Sequence, residues 1–418
     1  MATEELTRPG AARGGCPVHH GVGAWQGAPE TTTSAPAIER DADGTWHIRS
    51  HALVRQVLRN AETIQAGFGA DMIGRVPGTI NKPILYQEGK VHQEQRKQTA
   101  RFFTPKIVSG RYRDLMIRLV DDLIARFRRE GRGDLTAISM QLAVAVAAEV
   151  VGLTDSLIPG LDQRLDAFFD HRDDARTGIM ARLAQLRNRG RMLAFFFLDV
   201  KPAIRARRRT PQEDVISHLI ARDYNDTEIL TECVTYGAAG MATTREFITV
   251  AAWHFLSDPA LREGYLSAPE RERHALLEEI LRLEPVVGHL YRRTAAEVSL
   301  THEGATTTIP VGARLDLHIH GANLDEAVTG PHPEAICPGR PMLDKQTTAA
   351  VLSFGDGHHR CPGQFIAIQE TDIFLRQLLA LPGLRLEKAP TVTWDELTAG
   401  YVLRDCLISD DARTGRRD

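Results

Sequence analysis

The sequence is notable first for what it lacks. Its 418 residues include no run of eighteen or more apolar residues, and the N-terminal segment has no apolar signal-peptide core. Its 51 Lys and Arg residues nearly balance 54 Asp and Glu residues, so there is no basic surplus for nucleic acid. Five scattered cysteines argue against a disulfide framework. We therefore expect a cytoplasmic protein without a membrane anchor or a nucleic-acid partner.

The composition also suggests how the chain is organised. Gly, Pro, Ser and Thr dominate the start, which predicts a flexible tail over residues 1–38, and the polar end predicts a short tail over 411–418. No Gly/Ser linker and no repeat divides residues 39–410, so we expect one domain there. Helical patterns dominate from about residue 92 to 256, and short β segments follow from about 298 to 319. This order predicts a mainly α fold with small β-sheets, of the α+β class.

One long apolar helix contains an unusual stretch. Asn225 or Asp226 can cap its start, and Asp258-Pro259 ends it. Within it, residues 237–247 read GAAGMATTREF, although each glycine inside a helix costs roughly 0.5–1 kcal/mol relative to alanine. The small residues indicate that something must lie close to this helix.

The strongest local motif is FGDGHHRCPG at residues 354–363. Gly355 and Gly357 permit a tight bend on either side of Asp356. Cys361 then enters an apolar helix, where unpaired N–H groups and the helix dipole favour a thiolate that can bind a metal. A merely packed cysteine is the plain alternative. Zinc would need a second close pair of ligands, and a Cys/His nucleophile would need an orienting Asn or Asp, which the stretch does not supply.

The full pattern, Phe354-Gly-x-Gly-x-His359-x-Cys361-x-Gly363, resembles the haem-binding signature of the cytochrome P450 family. The resemblance implies a soluble, bacterial-type haem-thiolate enzyme, with haem between the long central helix and the helix after the cysteine. It also implies that Cys361 is the iron ligand and that His359 contacts a haem propionate. Phe354 would shield the sulfur, and Gly363 would let the porphyrin lie close to the backbone.

Further motifs follow in the family's order. Glu279 and Arg282 resemble the Glu-x-x-Arg pair that braces the core beneath the haem. The usual third partner of this pair falls at Ala335, with Arg340 as a possible substitute. Asn323-Leu-Asp325 resembles the family's Ala-Asn-x-Asp turn.

Two more segments resemble the parts that hold the haem propionates. Arg292, with Arg293 as the alternative register, would pair with one propionate. His92 and Arg96 lie four residues apart on a helix and would hold the other.

The small-residue stretch resembles the family's Ala-Gly-x-(Asp/Glu)-Thr motif. Ala239 and Gly240 would leave room for haem and O₂, and Thr243, with Thr244 beside it, would supply the distal hydroxyl. Ala242 stands where the family has its acid. Protons could come through water and Thr243, from Glu246, or from a polar group of the substrate. A Thr243 hydroxyl bound to the carbonyl four residues earlier is the structural alternative.

The resemblance implies O₂ activation at haem b and hydroxylation of a small hydrophobic or aromatic compound, which we expect to belong to secondary metabolism. It also implies an apolar substrate pocket, lined by the loop after Gln65, the helices around Phe168 and Phe195–Phe197, Val286–Leu290 and the turn near Thr398–Tyr401. Electrons would come from NAD(P)H through a ferredoxin or flavodoxin and its reductase, since no reductase domain is expected in the chain. The alternatives are an oxidase that couples C–C, C–N or C–O bonds without oxygen insertion, and a haem-binding sensor or carrier.

Overall fold

The computed structural model describes residues 19–20, 24–25, 35–70, 81–168, 178–337, 339–344, 347–396 and 398–411. Helices make up most of these residues and confirm the mainly α architecture. The α-helices are His51–Arg59, Gly89–Thr99, Pro105–Ile107, Arg113–Glu130, Leu135–Val151, Leu161–Phe168, Gly178–Phe195, Lys201–Arg209, Val215–Ile220, Asp226–Gly237, Thr243–Ser257, Pro259–Ser267, Glu270–Leu283, Ile319–Asn323, Glu326–Thr329 and Gln364–Leu379.

The strands form small sheets. The largest has five strands, in the spatial order Ile38–Arg40, Trp46–Ile48, Arg314–His318, His289–Thr294 and Thr63–Gln65. Trp46–Ile48 runs parallel to Arg314–His318, and the other pairs are antiparallel. The remaining sheets pair His19–His20 with Ala335–Ile336, Val298–His302 with Ala305–Ile309, Thr391–Asp395 with Gly400–Arg404, and Leu407–Asp410 with both Leu384–Lys388 and Arg132–Asp134.

The long apolar helix predicted between Asn225 and Asp258 is present, and we call residues 226–257 the central helix. Asn225 caps it, and the Glu228 carboxylate accepts a hydrogen bond from the Asn225 backbone in return, which completes a capping box. At the other end, the chain turns at Asp258 before Pro259. A wider π turn over Ala238–Ala242 interrupts the α-helix at the stretch of small residues. Such bulges are frequent at functional sites, and the sequence did not reveal this one.

The central helix packs into the main hydrophobic core. Phe247, Ile248, Ala251 and Phe255 are fully buried there, together with Phe374 of the helix that follows the cysteine motif. A second core of aliphatic residues lies under the five-stranded sheet and the helix His51–Arg59. No helix among the residues described is both long and apolar enough to cross a membrane.

Two short parts of the segment expected to be a flexible tail contact the rest of the protein. His19–His20 forms its two-stranded pair with Ala335–Ile336. Trp25 is 6% exposed and stacks on His320, with ring centroids 4.6 Å apart. A Cβ atom at Gly288 would lie 1.6 Å from the Trp25 ring, so this contact requires glycine. Cys337 is disulfide-bonded, which the sequence analysis did not expect, whereas Cys233, Cys361 and Cys406 are free.

A buried acid on the central helix gives the fold a testable pH dependence. Glu232 is 1% exposed, and burial raises its pKa to about 7, although Ile84 N–H and the Gln95 amide donate to its Oε1. The folded state thus keeps a proton that the unfolded chain loses near pH 4.5. Stability is therefore lost as pH rises from 4.5 to about 7, by up to ~3 kcal/mol at 1.36 kcal/mol per pKa unit.

We expect Glu232→Gln to remove this loss. From pH 5 to pH 8, the melting temperature of the variant should fall less than that of the wild type. The melting temperatures of both proteins are measured at the two pH values. Glu94→Gln, at an exposed position, is the control and should follow the wild type. Parallel pH profiles for Glu232→Gln and the wild type would contradict the assignment.

Candidate active site

The cysteine loop, residues 354–363, has the predicted bends. Gly355 and Gly357 have φ values of +67° and +66°, a region that favours glycine. A Cβ atom at Gly357 would lie 2.1 Å from the Leu58 carbonyl oxygen, so the loop can approach the helix His51–Arg59 only with glycine there. The Cys361 N–H donates to the Phe354 carbonyl at 2.8 Å and closes the loop. Phe354 itself packs against the main core.

Asp356 attaches this loop to its neighbouring helix. Its carboxylate accepts hydrogen bonds from Arg55 Nε at 3.0 Å and Arg59 Nε at 2.8 Å, and also from Gly357 N–H. Burial opposes ionisation, but these partners hold the pKa of Asp356 below its usual value. Nothing in the sequence indicated this role of Asp356, because both arginines lie about three hundred positions earlier in the chain.

Cys361 is free and exposed, and it lies three residues before the start of the helix Gln364–Leu379. Desolvation raises the pKa of its thiol. Hydrogen bonds from the backbone of Gly363 and Gln364, and the positive charges of Arg96 and Arg360, act in the opposite direction. These donors and charges would stabilise a thiolate once a positive partner is bound.

The predicted Glu-x-x-Arg pair is a buried ion pair. Arg282 donates from Nε and Nη2 to the two Glu279 oxygens, at 2.8 and 2.9 Å, and the two residues are 0% and 1% exposed. Arg340 donates its Nε to Glu279 Oε1 at 2.8 Å, and Cys337 N–H donates to the same oxygen at 3.0 Å. Ala335 contributes only its backbone carbonyl, to both arginines. Arg340 is thus the third partner of the pair, the substitute that the sequence suggested.

Asn323 connects this pair to the cysteine loop. Its amide nitrogen donates to the Arg282 carbonyl and to Ser353 Oγ, and its amide oxygen accepts from Leu352 N–H at 2.9 Å. Asp325 of the same turn accepts from His51 N–H at 3.0 Å, at the start of the helix that Asp356 holds. The motifs predicted separately therefore form one hydrogen-bonded network that reaches the segment just before the cysteine loop.

Two cations predicted to contact propionates have no carboxylate in an ion pair among the residues described. Arg292 is 3% exposed, and burial lowers its pKa to about 10. It donates to Gln65 Oε1 and to the Tyr291 carbonyl. Arg96 is half-buried and donates to the Arg360 carbonyl at 2.6 Å, and desolvation lowers its pKa also. The alternative candidate, Arg293, is exposed and points to Gly312.

His92 and His359, both predicted to contact propionates, lie together in the structure. Their rings stack with centroids 4.1 Å apart, and burial lowers the pKa of His92 to about 4. His359 Nε2 lies 3.0 Å from Glu88 Oε2. Burial would raise the pKa of Glu88, but bonds from His359 and from Gln65 N–H outweigh it and lower that pKa. Glu88 is a nearby carboxylate that no sequence motif indicated.

The central helix leaves one face uncovered at its π turn. Ala239 is exposed and Ala238, Gly240 and Ala242 are half-buried, although neighbouring Met241 is fully buried. A Cβ atom at Gly240 would meet no protein atom within 4 Å. The protein therefore does not fill the space beside the small residues, which agrees with the predicted room for a cofactor.

The two threonines face different ways. Thr243 donates its hydroxyl to the Ala239 carbonyl at 2.6 Å, the alternative that the sequence left open. Thr244 is buried and hydrogen-bonds Glu370, on the helix after the cysteine. Burial raises the pKa of Glu370 well above its usual value, although the hydrogen bond with Thr244 acts in the opposite direction. Thr244 thus joins the central helix to the helix of Cys361 instead of lining the open face with Thr243.

Glu246 does not suit the role of replacement acid. Its Oε2 accepts from Leu403 N–H at 2.7 Å, and its Oε1 accepts from Arg245 Nε at 2.8 Å and Arg404 Nη1 at 2.9 Å. The carboxylate is 2% exposed and connects the central helix to the strand Gly400–Arg404. Two guanidinium groups and an N–H occupy it, so it cannot pass protons without breaking this connection.

A small cleft of about 30 Å³ borders Thr243 and Ala242. Val286, Thr398 and Tyr401 line it, as the sequence predicted for a substrate pocket, but Arg245, Glu246 and Asp395 do so too. The pocket is therefore less uniformly apolar than expected. Other residues expected to line it lie elsewhere: Phe195 is buried in the core and Phe197 is 50% exposed. The Phe168 side chain lies outside the part of the chain described.

Comparisons with known proteins agree with this geometry. A family model described as Cytochrome P450 matches residues 274–388, which include Glu279, Arg292 and Cys361. Cytochrome P450 130 of Mycobacterium tuberculosis is 29% identical over 358 residues, with 82% of this chain and 80% of that protein covered. Erythromycin C-12 hydroxylase of Saccharopolyspora erythraea is 27% identical, with 82% and 83% covered.

The fold matches as well. The structure of a mutant of P450 EryK in complex with erythromycin B aligns with a TM-score of 0.70 and 22% identity, with 89% of this chain and 92% of that chain covered. The chain belongs to the cytochrome P450 family. This P450 is accordingly a monooxygenase, and the family implies haem as its cofactor and O₂ as its co-substrate.

The residues of this P450 fit a haem on three observations. Cys361 offers a free, exposed thiol; the Ala239–Gly240 face is not filled by protein; and Arg96 and Arg292 are desolvated cations without an ion-paired carboxylate among the described residues. Unpaired desolvated charges are costly, and the two propionates of a haem would compensate them. A thiolate, two cations and an open helix face are the features that such a cofactor needs.

Proposed function

We propose that this P450 hydroxylates a small hydrophobic or aromatic organic compound in secondary metabolism. The exposed thiol of Cys361 in its rigid, glycine-dependent loop is the observation that carries the proposal. The relative that hydroxylates erythromycin supports a secondary metabolite as substrate. We further propose residues 39–410 as one catalytic domain, supplied with electrons from NAD(P)H by a ferredoxin or flavodoxin and its reductase.

The proposed roles follow from the site. Cys361 would hold the haem iron, which when bound supplies the activation of O₂. His92, Arg96, Arg292 and His359 would hold the propionates. Phe354 and Gly363 would shape the surroundings of the thiolate, and Ala239 and Gly240 would leave the distal side open. The substrate would lie at the open face of the central helix beside Ala239 and Gly240, with the small cleft at Thr243 next to it.

Proton delivery must differ from the usual arrangement of the family. Ala242 carries no acid, and Glu246 is held by Arg245, Arg404 and Leu403. The Thr243 hydroxyl can rotate from the Ala239 carbonyl toward the open face, where it would hold a proton supplied by ordered water. Oxidative coupling without oxygen insertion remains the second candidate, because Ala242 favours a substrate that brings its own polar group. Retention of ¹⁸O from ¹⁸O₂ in the product supports hydroxylation, and its absence supports coupling.

We expect Thr243→Ala to uncouple turnover. Without the hydroxyl, protons arrive less selectively, so peroxide released per NAD(P)H consumed should rise several-fold and product should fall by about 10-fold or more. Product and peroxide are measured together, with substrates first selected by the high-spin shift of the Soret band.

The same helix offers a matched control. Thr249 donates to the Arg245 carbonyl at 2.8 Å, the same type of bond as that of Thr243, but in the buried part of the helix. Thr249→Ala should therefore leave coupling unchanged, and Thr243→Ser should restore it. Unchanged peroxide release in Thr243→Ala would show that Thr243 does not have this role.

A further inference from the structure

A cluster of polar side chains lies on the five-stranded sheet, outside the haem site. Asp316 and His318 are two residues apart on the strand Arg314–His318 and so share a face. In the parallel pair His47 lies opposite Asp316, and in the antiparallel pair His289 lies opposite His318. The register of three neighbouring strands thus brings three histidines around one aspartate.

Three atoms of this cluster surround a single point. His47 Nδ1 lies 2.9 Å from His318 Nε2 and 3.2 Å from Asp316 Oδ2, and the last two atoms are 3.4 Å apart. Nitrogen and oxygen ligands bound at about 2.0–2.2 Å in tetrahedral or octahedral geometry are separated by roughly 3.0–3.4 Å. The observed triangle has nearly these dimensions.

Two further contacts orient the three atoms. His47 Nε2 lies 3.0 Å from Asp41 Oδ2, and His289 Nδ1 lies 2.8 Å from Asp316 Oδ1. An ionised carboxylate can only accept hydrogen bonds, so the contact with Asp41 places the proton of neutral His47 on Nε2. The lone pair of Nδ1 is then directed at the cluster. His289 likewise occupies Oδ1 and leaves Oδ2 free. This carboxylate–histidine arrangement is typical of ligands that hold a metal.

We propose that His47 Nδ1, His318 Nε2 and Asp316 Oδ2 bind a divalent transition-metal ion, with Asp41 and His289 as orienting partners. Imidazole ligands favour zinc and its neighbours over magnesium, and Zn²⁺ is the fitting probe. The Asp316 and His318 side chains are each 8% exposed, whereas that of His47 is 18% exposed, so solvent would complete the coordination from the side of His47. The ion would join the strand Trp46–Ile48 to Arg314–His318, which lie some 270 positions apart.

The metal-free alternative is a hydrogen-bonded chain in which His318 Nε2–H donates to His47 Nδ1. Metal content separates the two. Untagged holoenzyme is stripped with a chelator, dialysed against micromolar Zn²⁺ and then against metal-free buffer, and zinc per chain is measured by mass spectrometry. One zinc per chain is expected, and Mg²⁺ under the same conditions should not bind.

Variants locate the site. His47→Ala should weaken zinc binding at least ~100-fold, and Asp41→Ala by ~10–100-fold through loss of orientation. His332→Ala is the control, because His332 is an exposed histidine beside a carboxylate, 3.5 Å from Glu334, and zinc content should not change. The haem spectrum of each variant reports folding. If His47→Ala does not fold, the variant of the half-exposed Asp41 tests the site instead. Wild-type protein without bound zinc, or full zinc content in both His47→Ala and Asp41→Ala, would overturn the proposal.

Discussion

Replacing Cys361 with alanine should abolish the red-shifted band that thiolate-bound haem gives in its reduced carbon-monoxide spectrum. The cysteine loop is fixed by Gly357 against Leu58 and by Asp356 against Arg55 and Arg59, so the backbone should hold its shape while the sulfur is lost. Without a thiolate, electron donation to the iron ends, and we expect turnover to fall at least ~100-fold. The band and the turnover rate are measured on the same preparation.

A matched control separates thiolate ligation from general damage. Cys406 is also free, but it is fully buried in the core and away from the cysteine loop. Cys406→Ala should keep both the band and at least half of the turnover, whatever it costs in thermal stability. If Cys361→Ala retained the red-shifted band, Cys361 would not be the ligand.

The sequence predicted those features that depend on neighbouring residues. The capping residue Asn225 and the break at Asp258-Pro259 bound the central helix, because caps and prolines act within one helical turn. Gly355 and Gly357 revealed the bend of the cysteine loop for the same reason. The π turn over Ala238–Ala242 was not predictable, since it depends on what packs against the helix.

Contacts between distant segments were the part that could not be predicted. Thr243 and Thr244 are adjacent, yet Thr243 lies at the open face and Thr244 contacts Glu370. This difference depends on how the two helices are rotated and how they cross. The sequence left Glu246 as one of three proton sources, and only its contacts with the strand Gly400–Arg404 exclude it. Asp356 was overlooked likewise. Arg340 was found only because the family pattern drew attention to its neighbourhood.

The second large effect is expected at Glu279, the carboxylate that Arg340 contacts. This carboxylate is 1% exposed and receives Arg282, Arg340 and Cys337 N–H, so it neutralises a fully buried guanidinium. Glu279→Gln would leave the charge of Arg282 without compensation, at a cost of about 3–5 kcal/mol. Because Asn323 bonds Arg282 to the segment before the cysteine loop, we expect lower haem content as well as a lower melting temperature.

Glu278 provides the matched control for this substitution. It lies next to Glu279 on the same helix, and burial raises its pKa, so it gains little from its charge. Glu278→Gln should therefore keep the melting temperature and haem content of the wild type. The melting temperature and haem content of Arg340→Ala should lie between those of the Glu279 and Glu278 variants. Arg282 still pairs with Glu279 in this variant, but several carbonyl groups lose a hydrogen-bond donor. Equal stability of the Glu279 and Glu278 variants would show that the buried pair does not support the cysteine loop.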